Sequence, residues 1–185
     1  MKKRINIHVG EYHASSEPAV IYTVLGSCVA VCLFDPVKRI GGMNHILLPG
    51  RADMKRFDSS ARYGINAMEL LINRIMDLKG DRRRLVAKVF GGGDVITSIS
   101  RKYSIGEKNV SFVLMFLQRE GIRLLSKDVR GTDSRKVYFH TDTGEVFLKR
   151  IPPLLQKRIA GEELLKFKRV QKSAHKPGEI TLFNE

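Results

Sequence analysis

The sequence contains no tryptophan and only two cysteines, Cys28 and Cys32. Two thiols cannot staple a disulfide scaffold. If both sit on one strand they stand roughly 13 Å apart at about 3.3 Å per residue, beyond the ~7 Å that a bridge tolerates. Unpaired thiols fit a reducing compartment. No apolar run approaches the roughly 20 residues of a membrane-spanning helix, and the basic start MKKRINIHVGEYH lacks the apolar stretch of a signal peptide. The expectation is a cytoplasmic protein without membrane insertion. Metal-ligand spacing is also missing. His8, His13, His140 and His175 form no ligand pattern, and Cys28, Cys32 and His45 make a poor zinc set. No metal is expected. Neither GxxxxGKS/T nor GxGxxG occurs, so Gly91-Gly92-Gly93-Asp94 reads as a close-approach turn rather than a phosphate cradle. No cofactor is expected.

Acidic residues are scarce: 33 Lys/Arg stand against 19 Asp/Glu, for a net charge of +14. The excess is densest near the C-terminus, where residues 149–176 hold nine Lys/Arg and two Glu. Such a segment is a solvated basic extension, or it attracts an acidic protein or nucleic acid. Zinc-finger spacing, an RNA-binding signature and a helix-turn-helix are all lacking, so no specific nucleic-acid partner is expected.

At 185 residues the chain suits one well-buried core. Strands are predicted over 4–9, 19–25, 28–34, 40–48, 85–90, 122–129, 136–141 and 145–151. The run CVAVCLF, nearly all apolar, suits a strand buried on both faces. EYHASSEP reads as a polar loop. Ile65, Met68, Leu71, Ile72 and Ile75 form one helical stripe, and a second helix is predicted over 107–120. The order strands, helix, strand, helix, strands predicts an α/β layered sandwich with mixed β-sheet, its helices covering part of the sheet. Pro152-Pro153 closes a domain over 1–153. Residues 154–185 then form the basic extension, with a short helix at 161–172.

The segment Thr23-Val24-Leu25-Gly26-Ser27-Cys28 places a thiol after a small, flexible pair. Gly26 permits backbone conformations that other residues resist. Ser27 and Cys28 can present N–H groups to an oxyanion. A thiol nucleophile needs a base, and His45, on the partner strand of the predicted hairpin, can face Cys28. Against this stands the ordinary role of a strand cysteine as a small core hydrophobe. That role is the better reading of Cys32.

The run LGSCVAVCL at 25–33, then Asp35-Pro36, Gly41-Gly42-Met43-Asn44-His45 and Leu48-Pro49, resembles the chemoreceptor glutamine deamidase family, CheD. Arg62-Tyr63-Gly64, Ala87-Lys88-Val89-Phe90-Gly91-Gly92-Gly93, Ile105-Gly106, Asn109-Val110, Asp128-Val129, Gly131 and Arg135-Lys136-Val137 continue the likeness over about residues 5–150. The resemblance implies a three-layer sandwich like that of bacterial toxin deamidases. It implies hydrolysis of selected glutamines on methyl-accepting chemotaxis receptors, with Cys28 as nucleophile and His45 as base. It also implies a CheC-type phosphatase as partner. The family's third catalytic member is a threonine just upstream of the cysteine. Thr23 is the candidate, although the family places that threonine where this chain has Tyr22. Thr23 either orients His45 or simply sits in the strand. The rival to catalysis is an adaptor that binds receptor or a CheC-type phosphatase and regulates by occupancy.

Overall fold

Burial along the strands sorts the chain into layers. In the computed structural model, which describes residues 1–48, 53, 55, 58–94 and 104–174, β3 (Ala19–Leu25) alternates strictly. Ala19, Ile21, Thr23 and Leu25 point inward, and Val20, Tyr22 and Val24 point out. β4 (Val29–Asp35) and β5 (Ile40–Ile46) are covered on both faces, as the apolar run of β4 predicts. Around them lie β1 (Lys3–Asn6), β2 (Tyr12–Ser15), β6 (Val86–Gly91), β7 (Arg123–Val129), β8 (Arg135–His140) and β9 (Val146–Arg150). The helices are α1 (Ser59–Asp77), α2 (Ile105–Arg119) and α3 (Pro153–Ala174).

The strands form two sheets, ordered β1-β3-β8-β9 and β2-β5-β4-β6-β7. Both are mixed, because β1 runs parallel to β3 and β6 parallel to β7 while the other pairings are antiparallel. The odd residues of β4, Val29, Val31 and Leu33, pack with Met68, Leu71, Ile72 and Ile75 of α1 and with Val110, Val113 and Phe116 of α2. Its even residues Ala30 and Cys32 pack with Ile21, Leu25, Met43, Val137 and Phe139 between the two sheets. Each fully buried Leu, Ile or Phe in these cores contributes about 1.5–3 kcal/mol. The result is three layers, α1 and α2 over the five-stranded sheet over the four-stranded sheet. The α/β sandwich expected from the sequence is present, with two sheets in place of one.

Three elements depart from expectation. The segment read as a polar loop contains β2, which pairs with β5 through Tyr12↔Asn44 to Ser15↔Gly41. It is an edge strand that buries only Ala14, so its sequence carries little apolar signal. The opening strand is shorter than 4–9, ending at Asn6. The basic extension is helical over Pro153–Ala174 rather than 161–172 alone, and it reaches the body through Glu163. Pro49, which the family likeness includes, lies outside the described residues. Among the described residues no helix is long and apolar enough to cross a membrane.

Candidate active site

The chain crosses from one sheet to the other between the end of β3 at Leu25 and the start of β4 at Val29. All three carbonyls of this crossing, Gly26-Ser27-Cys28, are tied down from below. The Gly93 N–H donates to the Gly26 carbonyl at 2.7 Å and the Gly92 N–H to the Cys28 carbonyl at 2.7 Å. Asn109 Nδ2, on α2, donates to the Ser27 carbonyl at 2.9 Å. With its carbonyls held inward, the crossing presents its amides on the opposite side. The glycine run supplies the close approach: Gly91 has φ +108°, and a Cβ there would stand 2.2 Å from the Cys28 carbonyl oxygen. Gly26 is not among the residues with positive φ. The unusual backbone expected at Gly26 belongs instead to Gly91 and Gly92.

The inward alternation of β3 brings Thr23, not Tyr22, to the site. Tyr22 faces the other way and stacks on Tyr138 with ring centroids 5.9 Å apart. Thr23 Oγ1 donates to the Ile7 carbonyl at 2.7 Å and meets His45 Nδ1 at 2.8 Å. A hydroxyl has one proton, and the carbonyl takes it. Thr23 must therefore accept from His45, which places the ring proton on Nδ1 and leaves a lone pair on Nε2. Nε2 is buried without a hydrogen-bond partner among the described residues. His45 sits opposite Ala30 in the β4–β5 ladder, on the face that carries Cys28, one step diagonal to it.

Sequence reasoning missed the acidic group of the site. Glu163 of α3 is 5% exposed. Its Oε1 accepts from the Gly26 N–H at 2.8 Å, and Oε2 accepts from the Ser27 N–H at 2.6 Å and Ser27 Oγ at 2.8 Å. The Cys28 N–H reaches Oε1 at 3.5 Å. One donor atom each from Cys28, His45 and Glu163 lie within 4.8 Å of one another. A thiolate, an imidazole and a carboxylate could hold a divalent cation, but here both carboxylate oxygens are already engaged by backbone and hydroxyl donors. The available signal for Glu163 was compositional: Glu162 and Glu163 are the only acids among nine basic residues over 149–176.

Burial, reinforced by the Glu163 charge and a thiol hydrogen bond to that carboxylate, pushes the Cys28 thiol well above its ordinary range, partly offset by Lys166. Burial, with the charges of Lys166 and His8, lowers His45 to about 3. Both groups are therefore neutral near pH 7. Beside them a cleft of about 180 Å³ opens between β1, β3 and α3, lined in part by Asn6, Ile7, His8 and Val24 on one side and by Ile159 and Lys166 on the other. Cys32 packs in the inter-sheet core, and burial raises its thiol too. His13 and His140 lie apart from the cluster, and His175 falls outside the described residues.

The arrangement pairs a thiol with a lone-pair nitrogen beside convergent N–H donors, which suits attack on a carbonyl or amide carbon. The family described as "CheD chemotactic sensory transduction" matches residues 47–150. Among curated relatives, a probable chemoreceptor glutamine deamidase CheD 1 of Shewanella oneidensis is 44% identical over 186 residues, covering 100% of this chain and 89% of that one. A probable chemoreceptor glutamine deamidase CheD of Methylobacillus flagellatus is 42% identical, covering 94% and 86% respectively. The likeness to the Shewanella protein includes the segment that carries Glu163. A solved structure, Bacillus licheniformis hypothetical protein YfiH, aligns at TM-score 0.39 and 14% identity over 63% of this chain and 49% of that one. A likeness that low carries no argument.

Proposed function

This chain belongs to the CheD family, and from that premise we propose that it hydrolyses glutamine side-chain amides on chemoreceptors to glutamates, with Cys28 as nucleophile, His45 as base and Thr23 orienting the base. The observation that carries the reading is the meeting of the Cys28 thiol, a His45 ring nitrogen and the Gly26 and Ser27 amides around one carboxylate. That carboxylate marks where a substrate amide would lie.

The reaction follows from the donor set. His45 Nε2 takes the thiol proton as sulfur attacks the amide carbon, and the Nδ1–H stays on Thr23 Oγ1 as the ring becomes charged. The electron pair of the C=O bond moves onto oxygen, where the Gly26 and Ser27 N–H groups receive it. Collapse of this adduct breaks the C–N bond. His45 returns its proton to the leaving nitrogen, ammonia departs, and a thioester remains on Cys28. Water then gives its proton to His45, attacks the thioester and releases glutamate and thiol. The net change is one new carboxylate, which on a receptor helix adds like-charge repulsion with acidic neighbours.

A CheC-type phosphatase as second partner, a cytoplasmic location and a likeness to bacterial toxin deamidases belong to the same proposal. The first and third rest on the family likeness. The second is supported by the two free thiols. The deciding experiment incubates a receptor cytoplasmic fragment with wild-type protein and with Cys28→Ala, and reads glutamine-to-glutamate conversion by mass spectrometry. Conversion by wild type alone is expected. Equal conversion by both would remove Cys28 from the mechanism, and conversion by neither would overturn the deamidase reading.

A further inference from the structure

The carboxylate in the site belongs to the protein itself. Glu163 is one glutamine hydrolysis away from a substrate: its side chain has the length of glutamine, and its acid group is what the reaction leaves behind. Both oxygens sit on the amides proposed to receive the oxyanion, at 2.8 and 2.6 Å. The carboxylate, a ring nitrogen of His45 and the Cys28 sulfur lie within 4.8 Å of one another. Among the described salt bridges none holds Glu163, and its neighbour Glu162 pairs with Arg158. Burying an acid at 5% exposure without an ion pair is costly. The crossing amides and Ser27 Oγ are what compensate it.

The helix around Glu163 behaves as a docked ligand. Its inward residues are Ile159, Glu163, Lys166 and Phe167, at helical spacing i, i+4, i+7 and i+8. Phe167 packs against the inter-sheet core, while Ile159 and Lys166 line the cleft beside His45. A groove shaped this way takes a side chain delivered from an α-helix, with an apolar contact one turn to each side.

Resting on the deamidase reading, we infer that α3 is an internal product mimic: Glu163 fills the subsite for the reacting glutamine, the described form is closed, and a substrate helix must displace α3 to react. The closed form is also protected. With a carboxylate against the sulfur, ionising the thiol would bring two negative charges together in a dry site.

The inference makes this chain a potential substrate of its own site. In full-length Glu163→Gln, Cys28 should attack the amide carbon of the introduced side chain, ammonia should leave with a proton from His45, and water should free the thioester. Amide nitrogen is then exchanged for oxygen, and residue 163 becomes glutamate again. Intact mass and peptide mapping of Glu163→Gln should show this gain of about one dalton, lost in Cys28→Ala/Glu163→Gln. Full-length Glu163→Ala should deamidate subsaturating receptor fragment at least about tenfold faster than wild type, and its Cys28 should alkylate with iodoacetamide faster and at lower pH. If Glu163→Gln keeps its amide while it or wild type converts the receptor, Glu163 is not in the glutamine subsite; the inference fails and the deamidase reading survives. If the introduced amide converts equally without Cys28, the chemistry is spontaneous and the inference fails. If Glu163→Ala is no faster on receptor, α3 is no inhibitor. If no variant converts either the receptor or the introduced amide, both readings fall together.

Discussion

Replacing Thr23 by valine keeps the branched shape of the side chain and removes only its hydroxyl. That hydroxyl donates to the Ile7 carbonyl at 2.7 Å and accepts from His45 Nδ1 at 2.8 Å. Its loss strands one buried acceptor and one buried donor, at about 1–3 kcal/mol each. A stability loss of about 3 kcal/mol is expected, which a domain of ordinary stability survives. The catalytic effect has a separate cause. A net hydrogen bond of about 1–1.5 kcal/mol no longer favours the Nδ1–H tautomer, so the competent form falls roughly five- to twelvefold, and the ring also loses its anchor. Together these should lower kcat about 10–100-fold with little change in KM. That is less than the ~10⁴ loss when an ionised orienting carboxylate is removed, because a hydroxyl carries no charge to steady the imidazolium. The assay is steady-state conversion of receptor glutamines by mass spectrometry, with thermal unfolding to verify folding. Thr23→Ser should restore most of the rate, and Tyr22→Phe should leave it unchanged. A folded Thr23→Val with kcat within about twofold of wild type would refute the reasoning and return Thr23 to the role of a strand residue.

Gly91→Ala should be among the most damaging single-methyl changes, since the new Cβ would lie 2.2 Å from the Cys28 carbonyl at φ +108°; expect a thermal midpoint lower by about 10 °C or more and loss of deamidation, and a stable, active variant would contradict the strap geometry. Cys32→Ala should keep activity near wild type at a stability cost of about 1–2 kcal/mol from lost packing, measured by denaturant unfolding, and inactivity would show that the second thiol takes part. Acid should destabilise the protein in two stages. His45 is held neutral down to about 3, so below about pH 6.5 the unfolded chain binds its proton first, and stability falls with pH by about 1.4 kcal/mol per unit for this one group. His13, also lowered, adds to this stage. Asp35 has a depressed folded value, from the Arg84 and backbone hydrogen bonds that outweigh its burial. Its stabilisation is full above about pH 4 and is lost as pH falls further. In urea titrations over pH, His45→Gln should flatten the upper stage and Asp35→Asn the lower one; unchanged slopes would refute the assignment.

Strands with an apolar signature were legible from sequence, and those without one were not. β4 announces itself because burial on both faces demands an unbroken run, CVAVCLF less its first residue. α1 announces itself because its stripe must meet β4 and β5. β2 shows only Ala14 to a core and is held by ladder bonds to β5, and backbone bonds leave no mark on composition. The same division holds at the site. Cys28 and His45 were visible as residue types with chemistry, and Gly91-Gly92-Gly93 as a turn of close approach. Whether Thr23 meets His45 depended on the facing of β3, a parity that the sequence around Thr23 and Tyr22 leaves open until the pairing with β8 is known. Asn109 was legible only through the family likeness, because its task, holding the Ser27 carbonyl, joins residues 82 apart. Glu163 is still farther from Cys28 along the chain, and a helix rich in Lys and Arg conceals one inward acid.

The position of the site between two sheets accounts for its chemistry. Thr23 comes from the four-stranded sheet, His45 from the five-stranded sheet, and Cys28 from the crossing that joins them. All three therefore face the inter-sheet layer, which is dry, and dryness keeps both thiol and imidazole uncharged. A preformed thiolate–imidazolium pair would need solvation that this layer cannot give. In the proposed mechanism charge appears instead during attack, when sulfur gives its proton to Nε2 and the negative charge moves onto the substrate oxygen. At that moment the fixed groups are those the fold has anchored most firmly: amides whose carbonyls are held by Gly92, Gly93 and Asn109. Donors fixed beforehand need no rearrangement when the oxyanion forms, and in a dry site each is worth more than in water. The same amides bind a ready-made carboxylate for the same reason, which is why an acid on α3 can occupy the site so completely.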